Sequence, residues 1–228
     1  MKKNIKSIRK DWELIQTLIE DNRKILDIGC GEGELIKKLI INKNADTRGL
    51  EMDGNLVRKA LSYGLIVIQG DAEKDLNQYS DESFDYAILS QTLQAMYNPK
   101  KVLLEMLRIS GKVILSFPNF GHWKIRMKLF TSGKMPITKT LPYSWYDTPN
   151  IHFFTLKDFQ DMCVESNIFI EKSIGLTESG IQFEIEKNTL FANMLTHEAI
   201  FLLSKKRFEA IKIKLKKPVS VSSKIATI

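Results

Sequence analysis

The stretch Ile25-Leu26-Asp27-Ile28-Gly29-Cys30-Gly31-Glu32-Gly33 decides how this chain is read. A short apolar run over 24–28 carries Asp27, breaks into glycines at alternate positions, and turns helical from Glu32 onward. Glycine is needed where backbone turns sharply and a ligand must approach without a Cβ in the way. The first turn of the following helix offers unpaired N–H groups. Dinucleotide sites use a similar loop with G-x-G-x-x-G spacing, which seats a pyrophosphate on the helix end. Here the spacing is G-x-G-x-G, and Asp27 stands two residues ahead of the first glycine. A carboxylate there repels a pyrophosphate but accepts from an amino group, which favours a zwitterionic amino-acid ligand and disfavours NAD.

Outward from this loop, apolar runs predict further strands at 47–51, 65–69, 84–90 and 112–117. Between them lie helical patterns opening at Asp53 and at Pro99, the second suited to proline in a first turn. A lead-in amphipathic helix is expected over 7–20, where Trp12, Ile15, Leu18 and Ile19 share a face. Such alternation builds a parallel sheet from right-handed βαβ units. The beat stops over 118–150, a segment rich in aromatics, Pro and Asn that reads as an insertion after strand five, placed to cover a site at the carboxyl edge. A helix over 155–167 follows, with Thr155 as N-cap and Asp158 three residues on. Strands at 169–174 and 198–203 complete an expected seven-stranded α/β sheet with helices on both faces, in one domain over 1–204.

Composition narrows the function. With 43% hydrophobic and 27% charged residues in a chain of 228, collagen, coiled coil and disorder are excluded. The net charge of +7 sits in a tail, 205–228, which holds eight Lys or Arg and one acid, so 26 basic and 26 acidic residues balance in the rest. A neutral body, with only seven Arg in the chain, argues against nucleic acid. Two single cysteines and three scattered histidines give neither a disulfide framework nor a metal set. The basic start lacks a signal-peptide apolar core, and no apolar run nears the roughly 18 residues of a membrane span. A cytoplasmic protein is the expectation.

Acids recur at the predicted strand ends. Glu51 closes the second strand, where a carboxylate can take both hydroxyls of a ribose. Asp71, followed by Ala72, is placed to accept from an adenine amino group, and Met52 to lie against the ring. Asp27, Glu51 and Asp71 at the ends of strands one to three form a layout that resembles the class I S-adenosyl-L-methionine (SAM) methyltransferases over about 22–204. The resemblance implies a Rossmann-like fold and a SAM site at Asp27, Gly29, Cys30, Gly31, Gly33, Glu51, Met52, Asp71, Ala72 and Ser90. Cys30 reads as a small space-filling residue between glycines. After the fourth strand stands Ser90-Gln91-Thr92-Leu93, without the Asn-Pro-Pro-Tyr pattern of nucleic-acid methyltransferases.

The second half narrows the family. The strings SQTLQAM (90–96), SFPNFGHW (116–123), MPITKTLPYSWYDTPNIHFFTLKDF (135–159) and NMLTHEAIFLL (193–203) resemble the MetW family of methionine biosynthesis proteins. That resemblance implies a SAM-type fold acting with homoserine O-acetyltransferase in the acylation of homoserine. His197, where a glycine is expected, and the Lys-rich tail depart from the pattern. The alternative is an independent SAM-dependent methyltransferase with a small-molecule acceptor under the insertion. Methyl transfer from a sulfonium needs chiefly an in-line acceptor, with a base where the acceptor carries a proton. His122 and His152 are the candidates for that base; the competing reading makes each a hydrogen-bonded tie between insertion and sheet. Phe120, Trp123, Tyr143, Trp145 and Tyr146 read either as a satellite core or as a contact surface.

Overall fold

A computed structural model describes residues 9–138, 141–185 and 190–205. Its frame is one eight-stranded sheet in the order β3-β2-β1-β4-β5-β8-β6-β7. The first five strands are β1 (Lys24–Ile28), β2 (Asp46–Glu51), β3 (Val67–Gln69), β4 (Phe84–Ser90) and β5 (Ser110–Pro118). They pair in parallel. The last three, β6 (Phe169–Leu176), β7 (Gln182–Glu184) and β8 (Glu198–Ser204), pair antiparallel, with β8 slotted between β5 and β6.

Between the strands run α1 (Lys10–Thr17), α2 (Glu34–Lys43), α3 (Gly54–Ser62), α4 (Ala72–Asp75), α5 (Pro99–Ile109), α6 (Trp123–Ser132), α7 (Leu156–Glu165) and α8 (Leu190–Leu195). Alternate strand residues feed two cores, as the period of a doubly covered sheet requires. Leu26, Leu89, Leu115 and Phe201 pack under α5 and α7. Ile25, Ile88, Ile114 and Ile200 pack under α1 and α2 on the opposite face. Helix α7 starts with the expected capping box, in which Thr155 and Asp158 satisfy each other's backbone N–H groups.

The sheet differs from expectation in its late strands and its insertion. Strand β7 adds an eighth member, a three-residue edge whose pattern of exposed and half-buried side chains leaves no hydrophobic signature. Strand β3 begins at Val67, because buried Leu65 packs with Ala60 and Val57 of α3 before the ladder starts. The segment 118–150 contains α6, capped by His122 and ended at Gly133 with φ of 61°. Of the lead-in helix, residues 7 and 8 lie outside the described residues, as does the tail beyond Lys205.

Candidate functional site in the glycine loop

Strand order reverses about β1, which has β2 on one side and β4 on the other, and ligands of open α/β sheets bind at such a crevice. The loop from β1 into α2 stands there. Gly29, Gly31 and Gly33 all take left-handed backbone, with φ of 67°, 57° and 77°. A Cβ on Gly29 would come within 2.9 Å of Thr92 Oγ1, and one on Gly33 within 2.3 Å of Leu65 Cδ1. At Gly31 a Cβ would meet nothing within 4 Å, so this glycine faces open space.

Glu51 ties the loop to the sheet. Its Oε2 accepts from Gly31 N at 2.8 Å and its Oε1 from Asp53 N at 2.9 Å. Gly29 N donates to Leu50 O at 2.8 Å. In front of the loop lies a cavity of about 280 Å³ whose wall includes Asp27, Gly29, Cys30, Gly31 and Ser90. Five of the residues expected at a SAM site therefore meet on one surface. Met52 is 70% exposed beside Glu51. Asp71 caps α4, accepting from Glu73 N at 3.0 Å and pairing with Lys74 at 2.8 Å. The hydrogen bond from Lys74 holds the Asp71 carboxyl below the usual range. Ala72 after it is buried, and Gly33, Glu51, Met52, Asp71 and Ala72 are not among the residues that line the cavity.

Asp27 is 3% exposed. Burial pushes its carboxyl up to about 7; Arg9 opposes the rise and Glu51 adds to it. A desolvated acid on a cavity wall is poised to gain charge when a cation arrives. The Cys30 thiol is also driven up by burial and by the acids around it, which removes it as a nucleophile.

The wall holds groups that the sequence reading missed. Arg9 and Trp12 line it from the start of α1. Ser90 Oγ accepts from Arg9 Nη2 at 2.8 Å and donates to Asp11 at 2.9 Å. Asp11 is 2% exposed and also accepts from Ser116 Oγ at 3.2 Å. Glu198, at the start of β8, accepts from Gln91 Nε2. Burial, then the negative charge of Asp11, pushes Glu198 up to about 8. Asp11 shares the buried stripe of α1 with Leu14 and Ile15, and an acid on an apolar stripe was the available signal.

Neither candidate histidine lies on this wall. His122 caps α6, its Nδ1 accepting from Lys124 N at 3.4 Å, and its ring meets His197 edge-on at 5.5 Å. Burial, then His197, lowers its pKa. His152 donates its backbone N–H to Gln94 O at 3.0 Å and places Nε2 3.3 Å from Tyr97 O. The aromatic segment divides: Phe120 packs on Phe153 at 4.9 Å, while Trp145 and Tyr146 stand exposed. Among the described residues no helix is long and apolar enough to cross a membrane.

Residues 9–203 match the family described as methionine biosynthesis protein MetW. The chain belongs to the MetW family. A curated relative, the bifunctional methionine biosynthesis protein MetXA/MetW of Rhodopirellula baltica, is 32% identical over 178 residues. That match takes in 74% of this chain but only 28% of the relative's length. Among solved structures, a SAM-dependent methyltransferase from Thermotoga maritima superposes with a TM-score of 0.62 at 19% identity, over 86% of this chain and 88% of its own. A TehB-like SAM-dependent methyltransferase from Corynebacterium glutamicum gives 0.56 at 15%, over 88% and 89%. These likenesses establish for this MetW chain the class I SAM methyltransferase fold.

Proposed function

We propose that the protein binds SAM at the β1–α2 loop and acts in methionine biosynthesis together with homoserine O-acetyltransferase. The observation that carries the partnership is the Rhodopirellula relative, in which a MetW portion is part of one bifunctional MetXA/MetW protein. The cavity supports the cofactor. Gly31 leaves its side of the loop open, Asp27 offers a buried acid for an ammonium, and Glu51 stands at the end of β2 for the ribose hydroxyls. When bound, SAM supplies a sulfonium with an electrophilic methyl. The chain's own residues orient it and exclude water from Asp27.

The second reading, an independent methyltransferase, is favoured by the fold that this chain shares with SAM-dependent methyltransferases. Against it, His122 and His152 are engaged in the capping and backbone contacts of the insertion and do not reach the cavity wall. Sedimentation of the purified protein mixed with homoserine O-acetyltransferase tests the partnership. A faster joint species is expected; two independent boundaries at micromolar concentrations would contradict it.

A further inference from the structure

Helix α6 keeps most of its apolar side chains out of the core. Ile125 is its one buried residue, while Trp123, Met127 and Phe130 are 41%, 51% and 87% exposed. At about 100° of rotation per residue these three fall within about 60° of one another, on the side opposite Ile125. The stripe does not end with the helix. Lys128 Nζ donates to Ile137 O at 3.4 Å, which ties α6 to the stretch that follows it. There Met135 and Pro136 share a cleft with Tyr143 and Trp145, and the exposed Tyr146 ring meets Trp145 edge-on at 5.6 Å. At about 20 Å³ the cleft is too small for a metabolite. An exposed surface of Trp, Tyr, Phe and Met has instead the make-up of a protein contact.

Charge narrows the choice of occupant. Residues 123–138 hold Lys124, Arg126, Lys128 and Lys134 and no acid. Lys124 is paired with Glu178, but Arg126 and Lys128 meet backbone carbonyls, those of Gly121 and Ile137. A two-fold contact between copies of this chain would set this basic rim against itself, and like charges across an interface repel. A different protein with an apolar face and an acidic rim fits. In the bifunctional MetXA/MetW relative the MetW portion has a permanent neighbour in the same chain, and that neighbour decides the choice of partner. We propose that the α6 stripe and the adjoining aromatic cleft form the face that docks homoserine O-acetyltransferase. This rests on the partnership proposed above and gives it a place on the molecule.

Sedimentation titration of the full chain with purified homoserine O-acetyltransferase tests the face. Phe130→Glu should weaken binding by about 10- to 100-fold, as expected of a residue at the centre of an interface, with the melting temperature unchanged. Lys128→Glu, on the rim, should weaken it less, and that loss should shrink as salt is raised. Ile66→Glu, at an exposed apolar position beside the edge strand β3, should bind as the parent does. Parent-like binding by both Phe130→Glu and Lys128→Glu would overturn the face and leave the partnership standing. No binding by the parent would overturn both. A loss confined to Phe130→Glu and matched by a fall in its melting temperature, or an equal loss in Ile66→Glu, would overturn the face. Two further results would also overturn it, each with acyltransferase binding intact in Phe130→Glu. One is self-association of the parent that this variant abolishes, which gives the face to a second copy; the other is adsorption of the parent, but not the variant, to phosphatidylglycerol vesicles, which gives it to a membrane surface.

Discussion

Asp27 meets opposing demands: burial favours its neutral form, and an ammonium ligand needs its charge. Its folded-state value of about 7 lies above the ordinary 3.8. Binding of SAM should therefore strengthen as pH rises from about 6 to about 8, by roughly tenfold, as the carboxylate forms. Calorimetry across that range checks it, and a flat profile would contradict the ammonium role. Asp27→Ala should remove measurable SAM affinity from a chain that stays folded. So should Gly31→Val, because a β-branched residue is strained at a φ of 57° and would fill the open side of the loop. Ligand-free stability moves the other way. Between 3.8 and about 7 the folded chain keeps a proton that the unfolded chain has released, so the stability held at acid pH is lost as pH rises through that window. Asp27→Asn removes this loss. It should match the parent near pH 4 and exceed it near pH 8 by up to about 4 kcal/mol, measured by urea titration of the ligand-free protein.

Among the elements, those with strong periodicity or a capping pattern could be read from sequence. The apolar run of β1, the proline at the start of α5 and the Thr155–Asp158 pair of α7 declare themselves within a few residues. Thr155→Ala should lower stability by about 1 kcal/mol and the melting temperature by about 2–4 °C, with SAM affinity unchanged, because no residue of α7 lines the cavity. An unchanged melting temperature would contradict the cap. Strand β7 could not be read, since its three residues pair with β6 without burying an alternating face. The same limit applied to the site. Asp27 and the glycines are contiguous, and Glu51 ends a recognisable strand, whereas Arg9, Asp11 and Glu198 converge only through the packing of α1 on β8 and the placement of β8 beside β5. Their residue types are ordinary for an amphipathic helix and a strand start. Of the three only Asp11 is buried, and its place on the apolar stripe of α1 is the one mark it leaves in the sequence.

At the scale of the whole molecule, a parallel half presents the glycine loop at its switch point, and an antiparallel half brings β8 and the insertion to the same carboxyl edge. The loop thus lies next to a surface where Trp12, from the first helix, meets the wall of the cavity. Such an arrangement lets occupancy of one small-molecule site be coupled to contacts made by neighbouring elements, if ligand and partner favour the same conformation. The proposed partnership with homoserine O-acetyltransferase is tested by the rate of acyl transfer to homoserine by the purified acyltransferase, with and without this protein and with and without SAM. A higher rate is expected when the protein is added, with a SAM response that disappears in Asp27→Ala; an acyl-transfer rate unchanged by the protein at saturating concentration would contradict the partnership.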